Sequence, residues 1–182
     1  MFELRWHGRG GMGAVTAAEL LAYAAVLEGK YGLAIPFFGA ERRGAPVVAY
    51  NRIDNKRVRR RSIIRNPDAV VVFDNSLLKI IDVTSGLKED GYLILNSSQD
   101  IAESYSDRFK VAYLDATGIA LKIGLKLAGI PLVNMPMLGA VSKVTNIVSL
   151  SSLLTAVKLK WPNKAELNLM GVKAGYESVE VI

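Results

Sequence analysis

The run LRWHGRGGMGAVTAAELLAYAAVLE, residues 4–28, places a strand, a glycine-rich loop and a helix in direct succession. Residues 4–7 are a short β-rich run, residues 8–13 form the glycine loop, and residues 14–28 are strong helix formers. In this order, backbone N–H groups converge on an anion at the helix N-terminus. The helix is apolar on nearly every side, so we expect burial on two sides, one of them against a sheet.

The glycine spacing leaves two interpretations open. Gly8, Gly10 and Gly13 match the Gly-x-Gly-x-x-Gly pattern of dinucleotide-binding folds. In those folds an acidic residue about 20 positions later, at the end of the second strand, binds the ribose. Here Glu28 comes at the end of the helix instead, so that residue is missing. No Gly-Lys-Ser or Gly-Lys-Thr follows, which excludes a Walker loop. The loop therefore contacts an anion or cofactor through its backbone, or its glycines only permit close packing of helix on sheet.

The rest of the chain alternates strands and helices. Apolar or β-rich runs predict further strands at residues 33–36, 69–73, 91–95 and 111–114. Residues 47–53 and 57–64 flank Asp54-Asn55-Lys56, which predicts an antiparallel hairpin. Helices are expected at residues 76–81, 117–128, 136–145, 149–161 and 165–176. The predicted fold class is α/β: a three-layer, Rossmann-like, mostly parallel sheet with an antiparallel basic hairpin and a helical C-terminal third, in one domain over residues 1–182.

Composition excludes several classes of protein. The chain has 182 residues, of which 51% are hydrophobic, which fits one compact domain and argues against disorder. No run reaches the roughly 20 apolar residues of a membrane span, and the first residues lack a signal-peptide pattern, so we expect a cytoplasmic protein. With no cysteine and one histidine, no metal site is expected. The mean hydropathy of +0.24 suggests a buried interface, with self-association when the chain is isolated.

The positive charge is unevenly distributed. The net charge of +6 suits an anionic partner. One third of the chain carries a dense cationic segment, in which Arg42 and Arg43 are followed by a cluster in the predicted hairpin and just after it: Arg52, Lys56, Arg57, Arg59, Arg60, Arg61 and Arg65. No aromatic residues are interleaved there for base stacking, so a solvated or partner-facing surface is favoured over nucleic-acid binding.

A second motif, FFGAERRGAP at residues 37–46, has no helical or strand period and is typical of a functional loop. The guanidinium groups of Arg42 and Arg43 suit phosphate or carboxylate recognition, and Glu41 is placed to orient one of them. The alternative is a surface loop held by salt bridges.

Polar residues follow three of the predicted strands. Asp74, Asn96 and Asp115 each come at the end of a buried strand, so we expect them to lie with the glycine loop along the carboxyl edge of the sheet. Capping of the helices that follow is the favoured role for all three. His7 ends the first strand, where a structural, hydrogen-bonded histidine is favoured over a proton carrier.

Two long motifs carry a family resemblance. Residues 5–18, RWHGRGGMGAVTAA, and residues 36–47, PFFGAERRGAPV, resemble the gamma subunit of pyruvate:ferredoxin oxidoreductase (pyruvate synthase) and its 2-oxoisovalerate relatives in the 2-oxoacid:ferredoxin oxidoreductase family. The likeness extends over essentially the whole chain, and the second motif favours the pyruvate or branched-chain branch. Met12 stands where the family usually has glutamine, which removes a side-chain amide.

The resemblance implies an oxidoreductase of the EC 1.2.7 class. In such a complex thiamine diphosphate attacks a 2-oxoacid, carbon dioxide leaves, electrons pass through iron–sulfur clusters to ferredoxin, and coenzyme A takes the acyl group. This chain has no cysteine and no recognisable thiamine diphosphate motif. The resemblance therefore assigns thiamine diphosphate, Mg and the clusters to alpha, beta and ferredoxin-like delta subunits. We expect the isolated chain to be inactive, to bind no cofactor alone and to hold no catalytic residue.

The resulting hypothesis is that this chain positions, covers or gates the active-site region and helps to bind coenzyme A. The residues expected to contact an anion or coenzyme A, or to form the active-site wall, are Gly8, Arg9, Gly10, Gly11, Gly13, Glu41, Arg42, Arg43 and Asn134. A purely structural assembly subunit is the main alternative. A stand-alone nucleotide-binding oxidoreductase domain is the other.

Overall fold

A computed structural model describes residues 1–37 and 44–182 of the chain. Residues 38–43, which include Glu41, Arg42 and Arg43 of the second motif, lie outside the described residues. The strands are β1 (Phe2–Arg9), β2 (Tyr31–Phe37), β3 (Pro46–Asp54), β4 (Ala69–Val72), β5 (Tyr92–Asn96), β6 (Lys110–Leu114), β7 (Lys126–Leu127), β8 (Ile130–Pro131) and β9 (Glu180–Val181). The α-helices are α1 (Ala14–Leu27), α2 (Gln99–Glu103), α3 (Ala116–Ile123), α4 (Asn134–Thr145), α5 (Leu150–Lys160) and α6 (Glu166–Ser178), and a short 3-10 helix spans Asn75–Lys79.

A seven-stranded sheet runs through the molecule in the order β2-β3-β1-β4-β5-β6-β9. Its four central strands, β1, β4, β5 and β6, are parallel, and the outer strands are antiparallel to their neighbours. Side chains of β4 alternate between two cores: Ala69 and Val71 face the long helices, and Val70 and Val72 face the short ones. The α/β fold with three layers is thereby confirmed.

Helix α1 lies between the sheet and another helix, as its apolar sequence predicts. It packs on β2 and β3 on one side and on α5 on the other. Asn51 of β3 is buried, accepts a hydrogen bond from Trp6 Nε1 at 2.7 Å and donates one to the Ala18 carbonyl at 2.8 Å. This satisfied polar group ties β1, β3 and α1 together and so fixes the position of the glycine loop between them.

The predicted hairpin between residues 47–53 and 57–64 is wrong. Strand β3 pairs with β1 on one side and β2 on the other, so it has no free edge for a further strand. Residues 57–64 form neither helix nor strand. Instead, the Arg52 guanidinium donates to the carbonyls of Arg60 at 3.0 Å and Ser62 at 2.7 Å, and pairs with Glu3 at 2.6 Å. Arg52 is therefore a buried structural group and not part of an exposed basic surface.

The C-terminal third is helical, with two departures from the sequence-based expectation. Helix α3 ends at Gly124, in a left-handed conformation with φ 75°, and not near Gly129. The residues beyond it form the hairpin β7–β8, whose turn residues, Ala128 and Gly129, both have positive φ. The short edge strand β9 has no counterpart in the prediction. No helix in the described part of the chain is both long and apolar enough to cross a membrane.

Candidate functional site

The glycine loop turns sharply between β1 and α1. Gly11 has φ 95° and Gly13 has φ 83°, in the left-handed region that favours glycine. A Cβ atom on Gly13 would also collide with the side-chain amide of Asn134. Gly8, in contrast, lies inside β1, and an added Cβ there would make only ordinary contact, 3.4 Å from the Cβ of Ala14. Gly11 and Gly13 thus shape the loop, while Gly8 is part of the strand.

Within the described residues, the loop leaves the N-terminus of α1 without a side-chain cap. The first turn of this helix, all of it described, holds no acidic residue. The N–H groups of the first helical turn have no partner within a helix, and the helix dipole adds positive potential at this end. The first turn of α1 is therefore suited to an anionic group.

A cavity of about 490 Å³ opens directly over this helix end. Its walls come from the glycine loop, from the start of α1 and from the C-terminal third. They are formed by Arg9, Gly10, Gly11, Gly13, Ala14, Val15, Thr16, Val47, Leu127, Leu132, Asn134, Met135, Trp161 and Asn168. Besides apolar residues and the backbone of the glycine loop, the wall contains an arginine, a threonine, two asparagines and an indole ring. This mixture is the usual composition of a small-molecule site.

Asn134 connects the loop to α4. It is buried; its Oδ1 accepts from the Met135 N–H at 3.0 Å, and its Nδ2 lies 3.5 Å from the Gly13 carbonyl. The sequence hypothesis grouped Asn134 with the glycines, and the structure brings them together although 121 residues separate them.

Arg9 lies in the cavity wall, and its guanidinium group is bound by neighbouring residues. Its guanidinium pairs with Asp74 and donates to Ser76 Oγ at 2.7 Å and to the Gly44 carbonyl at 3.0 Å. Burial by itself raises the pKa of Asp74, but hydrogen bonds from Ser76 and Arg9 outweigh it and hold that pKa below its ordinary value. Arg9 is thus a positioning residue that ties the glycine loop to the end of β4.

The second motif begins and ends beside the glycine loop. The Gly10 N–H donates to the Ala45 carbonyl at 2.9 Å, and the Gly44 N–H donates to the Gly10 carbonyl at 3.1 Å. Strand β2, which leads into the motif, pairs with β3 up to Phe37. One described end of the second motif, Gly44 and Ala45, is therefore hydrogen-bonded to the glycine loop. The other end, Phe37, lies in the same sheet as β1, which leads into that loop. The charged residues of the motif lie outside the described residues.

Met12 lines a second cavity, of about 350 Å³, at the carboxyl edge of β4, β5 and β6. Asp74, Asn96 and Asp115 all lie in its walls, which confirms that they converge. Asp74 and Asp115 also cap helices, accepting from the N–H groups of Ser76 at 2.9 Å and Gly118 at 2.7 Å. Asn96 does not cap the helix that follows it, α2, which begins after Ser98; its Oδ1 accepts instead from the Thr117 N–H in the first turn of α3, at 3.4 Å.

Asn96 instead links two elements of the carboxyl edge. Its Nδ2 donates to the Phe73 carbonyl at 2.8 Å and to Thr117 Oγ1 at 3.0 Å. This side chain therefore holds the end of β4 against the start of α3.

His7 is not the hydrogen-bonded histidine that its position suggests. It is buried, and neither ring nitrogen has a hydrogen-bond partner in the part of the chain that the structure describes. Burial, together with the nearby Arg5 guanidinium, lowers the pKa of His7 to about 4. The ring is therefore neutral at pH 7.

The sequence reasoning missed the cavity wall that comes from the C-terminal third. Trp161, directly after α5, and Asn168, in α6, reach the cavity only because α5 packs on α1 and α6 packs on α4 and α5. No local motif marks either residue. Within the described ranges, no group of three or more histidine, aspartate or glutamate side chains is arranged to hold a metal ion.

Comparisons with known proteins identify the family. Residues 3–178 match the family model described as pyruvate ferredoxin/flavodoxin oxidoreductase. The chain is 51% identical to pyruvate synthase subunit PorC of Methanothermobacter thermautotrophicus, over 99% of this chain and 97% of that protein. It is 49% identical to the pyruvate/ketoisovalerate oxidoreductases common subunit gamma of Pyrococcus furiosus, over 100% of this chain and 98% of that protein.

Solved structures agree with these relatives. Pyruvate oxidoreductase subunit PORC (EC 1.2.7.1) from Thermotoga maritima superimposes with a TM-score of 0.85 at 38% identity, over 99% of this chain and 97% of that one. The 2-oxoglutarate:ferredoxin oxidoreductase from Magnetococcus marinus contains the same fold, with a TM-score of 0.77 at 18% identity, over 97% of this chain and 30% of that one. The chain belongs to the pyruvate ferredoxin/flavodoxin oxidoreductase family, as a gamma-type subunit of a 2-oxoacid:ferredoxin oxidoreductase complex.

Proposed function

We propose that this subunit forms part of the coenzyme A site of its complex, and that the cavity over the N-terminus of α1 receives a phosphate-bearing portion of coenzyme A. The observation that carries the proposal is the coincidence, in one place, of a helix N-terminus that no described side chain caps and a cavity of about 490 Å³. An anion at such a helix end is stabilised by about 0.3–1 kcal/mol when exposed and more when partly buried.

Two further features support coenzyme A as the anion. The M. marinus oxidoreductase, which contains this fold, was solved with coenzyme A and succinyl-CoA bound. The apolar part of the cavity wall, including Leu127, Leu132 and Trp161, suits the uncharged portion of a ligand whose other portion carries phosphates.

The redox chemistry belongs to partner subunits in this proposal. Alpha, beta and ferredoxin-like delta chains hold thiamine diphosphate, Mg and the iron–sulfur clusters, which supply decarboxylation and single-electron transfer. The present chain has no cysteine to ligate a cluster. Its own residues bind and orient coenzyme A and exclude water beside the reacting centre.

Mild affinity purification of the full chain from its own host tests the assembly. We expect it to co-purify with a thiamine diphosphate-binding chain and a cysteine-rich ferredoxin-like chain, together with iron and thiamine. Mass spectrometry of the co-purifying chains and metal and thiamine assays give the answer. Recovery of the chain alone, free of metal and thiamine after gentle handling, would contradict the proposal.

Thr16 offers a test of coenzyme A binding that separates it from assembly. Thr16 lies in the first turn of α1 and lines the cavity. Thr16→Glu adds a carboxylate that favours the helix N-terminus but repels a phosphate, so we expect the KM for coenzyme A to rise about ten-fold or more. The KM for the 2-oxoacid and the yield of assembled complex should stay unchanged in steady-state assays.

Thr16→Gln is the matched control, because it has nearly the same size as the glutamate variant but no charge. It should change the KM for coenzyme A less than about three-fold. If the two variants raise the KM for coenzyme A equally, the change is caused by packing and not by charge. Loss of the assembled complex in both would favour the purely structural role.

A further inference from the structure

The whole net charge of the chain is concentrated in one surface segment. Residues 56–65, here called the basic segment, contain six basic residues and no acidic one: Lys56, Arg57, Arg59, Arg60, Arg61 and Arg65. The chain has 23 basic and 17 acidic residues, so the other 172 residues contain 17 of each and are neutral. A long-range positive field therefore originates almost entirely from this segment.

The six side chains are exposed, and none forms an ion pair with any residue in the described ranges. Their backbone is nevertheless anchored, because the buried Arg52 guanidinium binds the carbonyls of Arg60 and Ser62. The segment thus presents cations that have no ion-pair partner among the described residues, on a backbone held at Arg60 and Ser62, which lowers the entropic cost of binding.

The basic segment also borders a recess. Arg60 and Arg65 line a cavity of about 380 Å³ together with Glu3, Arg52, Ser62, Ile63 and Asn66. The Glu3 carboxylate there is already paired with Arg52 at 2.6 Å. Two guanidinium groups at such a recess are suited to bidentate contacts with an entering carboxylate.

The composition of the segment favours a protein over a nucleic acid. Five of its six cations are arginines, which are enriched at protein interfaces, whereas lysine is depleted there. Ile63 is 46% exposed among them and offers an apolar contact, while the segment contains no aromatic residue on which a base could stack.

We infer that the basic segment is the docking surface for a small acidic protein that associates transiently, the ferredoxin that accepts electrons from the complex. Permanent subunit interfaces are large and apolar, whereas electron-transfer encounters are small and depend on charge for a fast approach. A surface of six cations and one exposed isoleucine fits the second kind. This inference rests on the proposed function.

The experiment compares two variants of the assembled complex with the same change in charge. R57Q/R59Q/R61Q removes three cations from the basic segment. K122Q/K158Q/K164Q removes three exposed cations elsewhere. Reduction of the host ferredoxin by 2-oxoacid and coenzyme A is followed from low to high salt, with a small viologen dye as alternative acceptor. Anisotropy of a labelled single-stranded oligonucleotide is measured in parallel.

We expect the first variant to raise the KM for ferredoxin about ten-fold or more at low salt, and the difference to shrink as salt increases. The rate of the first variant with the dye and its KM for the 2-oxoacid should match those of the wild type. The control variant should match the wild type in all of these measurements. The inference is overturned if the two variants have equal effects or no effect on the KM for ferredoxin. It is also overturned if the first variant fails to assemble, or if it loses oligonucleotide binding while its ferredoxin kinetics are unchanged. A wild-type complex without 2-oxoacid-dependent ferredoxin reduction would instead contradict the proposed function.

Discussion

Replacement of Arg52 by methionine is expected to lower the free energy of unfolding of the full chain by about 3–5 kcal/mol. The Arg52 side chain is 2% exposed and its partner Glu3 is 15% exposed, so the variant leaves a nearly buried carboxylate without its cation. The carbonyls of Arg60 and Ser62 lose their donor at the same time. Methionine has a similar length and is apolar, so the loss reflects missing polar partners more than a cavity.

Urea unfolding followed by circular dichroism measures this effect, and limited proteolysis reports on residues 57–64, which should be cleaved faster in the variant. Arg57→Met is the control, because Arg57 is exposed and should change the unfolding free energy by less than about 0.5 kcal/mol. The double variant E3Q/R52M should recover part of the loss, since it removes the unpaired charge. A free energy for R52M within 1 kcal/mol of the wild type, on the scale of an exposed substitution, would show that Arg52 does not anchor this segment.

Gly175→Val should be comparably damaging, for a reason of packing. A Cβ atom on Gly175 would overlap the backbone carbonyl of Pro136 in α4, and one on Gly139 would overlap the carbonyl of Val172 in α6. These two glycines let α4 and α6 approach closely, and a backbone contact has no rotamer to relieve it. We expect the unfolding free energy to fall by about 3 kcal/mol.

The same variant should also disturb the cavity over α1, because α4 carries Asn134 and Met135 into its wall. In any complex that still assembles, a higher KM for coenzyme A would show that the cavity is disturbed. Gly29→Ala is the control, since Gly29 has φ 76° but no described atom within 4 Å of an added Cβ, and it should cost only about 1 kcal/mol of backbone strain. Similar losses at Gly29 and Gly175 would refute the packing explanation.

The candidate site was only partly predictable. Gly10, Gly11 and Gly13 lie at the cavity as the motif predicts, because the order of strand, loop and helix is a local property of the sequence. The role of Arg9 was not predictable in the same way. Its partner Asp74 is 65 residues away, and only the parallel pairing of β1 with β4 brings the two together.

The incorrect hairpin has a similar explanation. Residues 57–64 contain valine and isoleucine and follow a plausible turn, so local propensity favours a strand. A strand also needs an unpaired edge, and β1 and β2 occupy both edges of β3. Pairing between strands is a property of the whole sheet, so no local pattern in residues 47–64 reveals it.

The α/β class, the glycine loop between β1 and α1, and the family can all be predicted without coordinates, because hydrophobic periodicity and contiguous motifs are local. The position of the excess positive charge is also evident from the residue types. In contrast, the burial of Arg52 and the completion of the cavity by distant residues such as Trp161 and Asn168 are known only from the folded chain. Both features depend on which elements pair along each edge of the sheet and pack on each helix face, and this is set only when the entire chain folds.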